Sequence, residues 1–118
     1  MTKAERDLCK RLKDPEFAVE FGAEYARAEL ALLLAKARRE RNLTQEAQAK
    51  LLGISQPYLA KLESGEANPT IGHIGSILAT LGFRISSSLE PLIDEESEYR
   101  VKIASAARVM ETSRRKPL

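Results

Sequence analysis

Polar side chains that can form hydrogen bonds cluster between positions 55 and 61. They are Ser55, Gln56, Tyr58 and Lys61. On a helix, residues three and four apart share a face, so these groups can be presented together. The sequence offers no phosphate-binding glycine loop, no nucleophile with a base and no carboxylate pair in an apolar pocket. Because His73 and Cys9 are single, it also offers no ligand set for a transition metal. We therefore expect a binding protein, not an enzyme, with no cofactor or metal.

Two short helices joined by a tight turn are predicted to carry this polar set. Thr44 and Ser55 are N-cap residues, whose hydroxyls accept a hydrogen bond from an amide of the first helical turn. Gly53 stands where the first helix would end in a left-handed residue. Pro57 falls in the first turn of the second helix, where its missing N–H is tolerated. Gly65 stops that helix, and the whole order matches the helix-turn-helix used for DNA recognition.

The segment resembles the phage-repressor-like helix-turn-helix family of the Cro/CI or XRE type. The residues that carry the resemblance are Thr44-Gln45, Ala49, Gly53-Ile54-Ser55-Gln56, Leu62-Glu63 and Gly65. The resemblance implies an all-α, lambda-repressor-like bundle and a DNA-binding transcription regulator. In this family an arginine late in the first helix pairs with the glutamate that ends the recognition helix. Arg38 and Glu63 match those positions, so the resemblance implies a structural ion pair between them.

The expected contacts with double-stranded operator DNA divide between bases and phosphates. Gln56 can bond an adenine edge through both ends of its amide, and Lys61 can reach a base or a phosphate. Tyr58 can offer its hydroxyl to the backbone and its ring to a thymine methyl. Gln45 matches the family glutamine that touches phosphate, at a helix N-terminus that favours an anion. The full expected set is Gln45, Ser55, Gln56, Pro57, Tyr58, Lys61 and Asn68, the last as a phosphate contact.

Two residues depart from the family pattern. Gln48 occupies a position where the family usually has an internal leucine. A buried glutamine needs partners for its amide or costs about 1–3 kcal/mol. The alternative is that Gln48 turns toward the surface while Leu51 or Leu52 packs in its place. Pro57 stands where a polar residue often reads a second base, which would narrow the set of base contacts.

The chain before the motif is predicted to be helical. Residues 1–14 form a short amphipathic helix, and Pro15 opens a second, long one. Apolar residues at spacings of three and four mark its buried stripe: Phe17, Phe21, Tyr25, Ala28, Leu32 and Ala35. The run 30–35 is apolar on more than one face, which predicts burial from two sides. The basic run 36–41 either is a solvated helix end or lies near the DNA backbone.

After the motif, a helix with its apolar face at Ile71, Ile74, Ile77, Leu78 and Leu81 is predicted to close the bundle. Residues 83–89 alternate apolar and polar, which predicts a short strand paired with a second subunit or another protein, or else a plain linker. A last helix is predicted over 94–113, with an acidic start and a basic end. Either of these elements could form a homodimer. The predicted domains are 1–29, an N-terminal helical extension for a partner or for dimerisation; 30–82, the DNA-binding domain; and 83–118, for dimerisation.

Composition sets only broad limits on function. The 118 residues carry a net charge of +2, so any basic surface must be local. A lone Cys9, no apolar run of membrane-spanning length and a charged N-terminus predict a cytoplasmic protein without a membrane partner.

The segment ahead of the motif, LKDPEFAVEF, suggests a narrower resemblance. It is similar to the lead-in of HigA-like antitoxins. Those proteins neutralise a small ribonuclease toxin and repress their own operon, which implies a toxin as a second partner. The alternative is a stand-alone repressor or phage regulator with no toxin.

Overall fold

The computed structural model describes residues 2–92, and these contain five α-helices and no strand. The helices are α1 (Lys3–Arg11), α2 (Pro15–Glu40), α3 (Gln45–Leu52), α4 (Gln56–Ser64) and α5 (Ile71–Thr80). The predicted all-α class is confirmed for this part of the chain. Residues 25–87 form one compact unit, and residues 2–24 and 88–92 belong to another. No helix in the described range is long and apolar enough to cross a membrane.

The N-terminal unit begins with a capped amphipathic helix. The hydroxyl of Thr2 accepts a hydrogen bond from the Glu5 amide at 3.1 Å, and the Glu5 carboxylate accepts one from the Thr2 amide at 2.8 Å. This reciprocal capping satisfies two amides that the first helical turn would leave unpaired. At the start of α2, the Arg11 guanidinium lies 4.6 Å from the centre of the Phe17 ring, which in turn stacks on Phe21.

The core of the second unit joins α2 to the three following helices. Its buried members are Leu34, Ala37, Ala49, Leu59, Leu62, Ile74, Ile77, Leu78 and Leu81. The predicted apolar face of α5 is confirmed except at Ile71, which is exposed in the first helical turn. These contacts hold α3 and α4 against the rest of the unit.

Two expectations for α2 are wrong. Leu32 is 65% exposed and Leu33 is 38% exposed, so the run 30–35 is not buried from two sides. The predicted buried stripe is wrong at Tyr25, which is 55% exposed, and at Leu32, and is confirmed at Ala35. The buried residues of α2 are Ala31, Leu34, Ala35 and Ala37. Periodicity alone cannot choose between adjacent stripes of an all-round apolar segment, and here the alanines face inward, where a small side chain allows close approach of helices.

The strand predicted for residues 83–89 is not present. The Phe83 amide donates to the Leu78 carbonyl at 3.0 Å, which folds the chain back over the end of α5. Arg41 then covers this turn: its Nε donates to the Leu81 carbonyl at 2.8 Å, and its guanidinium lies 4.3 Å from the centre of the Phe83 ring. A strand requires a hydrogen-bonded neighbour, and none lies alongside within the described residues. The predicted helix 94–113 lies outside those residues.

Candidate nucleic-acid interface

The turn between α3 and α4 is built from local signals. The Thr44 hydroxyl accepts from the Ala47 amide at 3.1 Å, and the Ser55 hydroxyl accepts from the Tyr58 amide at 3.2 Å. Gly53 ends α3 at φ 70°, in the left-handed region where a side chain would be strained. These caps and the glycine turn confirm the predicted pair of helices. They fix where α4 begins, and therefore which residues occupy its first turn.

The packing between α3 and α4 determines which face of α4 is left open. Ala49, Leu59 and Leu62 are almost completely buried. The Ile54 amide donates to the Ala49 carbonyl at 3.0 Å and ties the turn to α3. The opposite face of α4 is therefore free of the core.

The residues expected at DNA are distributed around this open face. Ser55, Pro57, Tyr58 and Lys61 are exposed, and Asn68 is exposed in the loop that follows α4. Gln45, at the N-terminus of α3, and Gln56, at the N-terminus of α4, are half-buried. The exposed groups provide hydroxyls, an amide and an ammonium group, which can hydrogen-bond base edges or phosphates.

Arg38 and Glu63 form a two-point ion pair that ties α2 to α4. Nε of Arg38 lies 2.8 Å from Oε2 of Glu63, and Nη2 lies 3.0 Å from Oε1. Nη1 donates to the Leu43 carbonyl at 2.7 Å, so the same guanidinium also holds the loop before α3. The two side chains are only 14% and 6% exposed. The hydrogen bond with Glu63 raises the pKa of Arg38, although burial acts in the opposite direction.

Two glutamines extend this ion pair to the open face. Nε2 of Gln45 donates to Oε1 of Glu63 at 3.2 Å, and Nε2 of Gln56 donates to Oε1 of Gln45 at 2.9 Å. Sequence reasoning treated Gln45 and Gln56 as separate DNA contacts and missed the bond between them. The two residues are eleven positions apart, with the turn between α3 and α4 separating them. Helical periodicity therefore does not predict their contact.

Comparison with known proteins agrees with this geometry. Residues 34–87 match the helix-turn-helix family. An uncharacterized HTH-type transcriptional regulator, y4dJ of Sinorhizobium fredii (strain NBRC 101917 / NGR234), is 44% identical over 48 residues. That match covers 41% of this chain and 62% of the relative's length. No solved structure matches the chain.

Inside the helix-turn-helix, Gln48 is 1% exposed, so the alternative in which it turns to the surface is wrong. Leu51 is 73% exposed, whereas Leu52 is half-buried and packs against the core together with the buried Gln48. Oε1 of Gln48 has no hydrogen-bond partner among the described residues. The departure from the family pattern therefore leaves a buried acceptor unsatisfied.

The basic end of α2 is partly committed to internal contacts. Arg38 is held by Glu63, and Arg41 by the Leu81 carbonyl and the Phe83 ring. The side chains of Lys36 and Arg39 are exposed and make no hydrogen bond or ion pair within residues 2–92. Of the basic residues in the run 36–41, Lys36 and Arg39 are therefore the ones that remain available to lie near the DNA backbone.

The sequence offers His73 and Cys9 as the residues to consider for a metal site. His73 is exposed in the first turn of α5, and Cys9 is a half-buried free thiol in α1. Within the described part of the chain, no group of three His, Cys, Asp or Glu residues could hold a metal ion.

Proposed function

We propose that this chain is a sequence-specific, DNA-binding regulator of transcription that places α4 in the major groove. The observation that carries the proposal is the open polar face at the start of α4, fixed by the cap at Ser55 and by the buried contacts with α3. The match of residues 34–87 to the helix-turn-helix family and the similarity to an HTH-type transcriptional regulator support it. A helix of this kind presents its N-terminal residues to base edges.

In this proposal the residues on the open face of α4 read the bases. Gln56 contacts adenine through its amide, the commonest pairing for glutamine in the major groove. Lys61, one turn further along α4, reaches a base or a phosphate, and Tyr58 reaches the backbone or a thymine methyl. Ser55 and Pro57 lie at the groove edge and shape the approach of the first turn.

Phosphate contacts would fix the register of α4 on the duplex. Gln45 lies at the N-terminus of α3, where unpaired amides favour an anion. One N–H of its amide is used by Glu63, and the second is left for a phosphate oxygen. Asn68, exposed beyond the end of α4, is the second phosphate contact. Such contacts add affinity on any sequence.

A homodimer completes the proposed DNA-binding unit. A single recognition helix touches only a few base pairs, and two half-sites about one helical turn apart supply both affinity and symmetry. Residues 83–89 and 94–113 are the two segments proposed to join the subunits. A mass measured by light scattering would distinguish a monomer from a dimer.

The test of base recognition is a binding titration with the DNA upstream of the protein's own gene. Gln56→Ala should weaken specific binding by about 1–3 kcal/mol and leave binding to a scrambled duplex nearly unchanged. Ser76→Ala, on the exposed side of α5, is the matched control and should change neither. Equal losses on both duplexes with Gln56→Ala would contradict the base-reading role.

We also propose a narrower role, as the antitoxin of a toxin–antitoxin pair that neutralises a toxin ribonuclease and represses its own operon. The support is that α1 and most of α2 precede the segment matched to the helix-turn-helix family. Residues 1–29 would then bind the toxin. Co-expression with the product of the neighbouring reading frame should give a stable complex, which a truncation before Ala28 should abolish.

The second candidate is a stand-alone repressor or phage regulator. In that case the full chain would purify as a dimer, bind its operator and form no complex with the neighbouring gene product.

For the antitoxin proposal, a truncated chain that still neutralised a toxin would place the toxin-binding surface outside residues 1–29.

A further inference from the structure

A cavity of about 310 Å³ lies between the C-terminal half of α2, the end of α5 and the chain that follows α5. Most of its lining is apolar. Ala37 and Leu78 belong to the buried core, while Phe83 and Ile85 are half-buried and pack against that core. Leu33, which is 38% exposed, completes the apolar lining. An apolar pocket of about this volume is large enough to hold a small organic molecule.

Two cations without a partner line the same cavity. They are Lys36, on α2, and Arg84, in the chain after α5, and both are exposed. Neither side chain makes a hydrogen bond or an ion pair within residues 2–92. The lining contains one carboxylate, Glu40, which lies one turn from Lys36 and forms no ion pair with it, and one hydroxyl, that of Ser86. Two cations against one carboxylate leave the lining with an excess of positive charge.

We propose that this cavity binds a small organic anion in which a carboxylate is joined to an apolar body, as in a medium-chain fatty acid. The guanidinium of Arg84 has the planar fork that pairs with both oxygens of a carboxylate, and Lys36 supplies a second charged donor. The apolar lining takes the hydrocarbon body, whose removal from water provides most of the affinity. The site does not depend on DNA recognition by α4.

The charge of the lining favours this occupant over a second copy of the chain. A two-fold contact across the cavity would bring together two copies of Lys36, Arg84 and Glu40. The excess of positive charge would then double, and like charges brought together across an interface are unfavourable. A bound carboxylate removes the excess instead. Charge complementarity therefore selects an anion, and the apolar lining selects one with a hydrocarbon body.

The probe is octanoate, titrated into the full-length chain and followed by calorimetry and by backbone amide signals in nuclear magnetic resonance spectra. Two matched ligands separate its two parts: acetate keeps the charge without the body, and octylammonium keeps the body with the opposite charge. Octanoate should bind one site about tenfold or more tightly than either. The amide signals of residues 36–37 and 84–86 should shift most. Equal binding of octanoate and octylammonium, or shifts centred elsewhere, would overturn the inference.

Two pairs of variants test the lining itself. Leu33→Ser should weaken octanoate binding by about fivefold, whereas Leu32→Ser, which changes an exposed neighbour outside the cavity, should not. Arg84→Gln should also weaken binding by about fivefold, whereas Arg39→Gln removes the same charge from an exposed position outside the cavity and should not. Equal losses within either pair would show general attraction to the protein surface and would contradict a built site.

Thermal unfolding and a dilution series complete the test. Octanoate should raise the melting temperature, because a ligand that binds only the folded chain stabilises it. A lower melting temperature would show that octanoate prefers the unfolded chain, and the inference would be wrong. If octanoate does not bind and the amide signals of residues 84–86 change with protein concentration, the cavity is a contact between copies of this chain, which also overturns the inference. Neither result bears on whether α4 reads DNA.

Discussion

The buried amide of Gln48 is a position at which one substitution should stabilise the protein. Gln48 lies in α3 with 1% of its surface exposed, and its Oε1 has no hydrogen-bond partner within the described residues. A buried acceptor without a partner retains the cost of leaving water, since no protein bond replaces the one lost. Replacing the amide with an apolar group of similar size removes that cost.

The expected gain for Gln48→Leu follows from this single atom. An unsatisfied buried polar group costs about 1–3 kcal/mol. A leucine side chain has no polar group, so it does not incur this cost. Glutamine and leucine have similar helix propensities, so α3 itself is not affected. We expect the free energy of unfolding to rise by about 1–3 kcal/mol. At roughly 4 °C per kcal/mol for a domain of this size, the melting temperature should rise by about 4–12 °C.

Urea unfolding followed by circular dichroism measures this change. The midpoint should increase with little change in the slope of the transition, because the surface exposed on unfolding is nearly the same. Lys50→Leu is the matched control: it introduces the same residue at an exposed position of the same helix and should stay within about 0.5 kcal/mol of the wild type. A lower midpoint for Gln48→Leu would refute the reasoning, since it would mean that the amide oxygen gains a partner in solution.

Two further substitutions test the internal contacts, both by urea unfolding. Glu63→Ala should cost about 3 kcal/mol, because it leaves the partly buried charge of Arg38 without its partner, whereas the exposed Glu66→Ala should cost almost nothing; equal effects would contradict a stabilising pair. Gly82→Ala should cost about 1–2 kcal/mol, because Gly82 has φ 82° and an added Cβ would lie 3.3 Å from Nη2 of Arg41; an unchanged midpoint would show that this turn relaxes without strain.

Local chemistry explains which parts of the site could be predicted from sequence. The caps at Thr44 and Ser55 and the turn at Gly53 depend on side chains within three residues of the amides they serve. Each cap and the turn can therefore be recognised from a few neighbouring residues of the sequence. The contact between Arg38 and Glu63 joins residues 25 positions apart, and only resemblance to a family pointed to it.

The errors have a physical cause as well. Leu32 belongs to a segment that is apolar on several faces, so spacing could not show that the neighbouring alanines face the core. Residues 83–89 have the alternation of a strand, yet a strand depends on a neighbour that the sequence of one chain does not specify. The bond between Gln45 and Gln56 requires two helices to be placed in three dimensions before it can be seen.

The chain of hydrogen bonds from Arg38 to Gln56 joins two properties that are usually measured separately. Glu63 holds α4 against α2 and also determines the direction of the glutamine amides. Its removal should therefore reduce both the free energy of unfolding and the base preference. Gln45 gives Glu63 a single hydrogen bond, whereas Arg38 gives it two, so Gln45→Met should change base preference with a smaller loss of stability than removal of Glu63. Because the two variants break the same chain at different links, comparing them separates support of the fold from orientation of the amide that is proposed to read DNA.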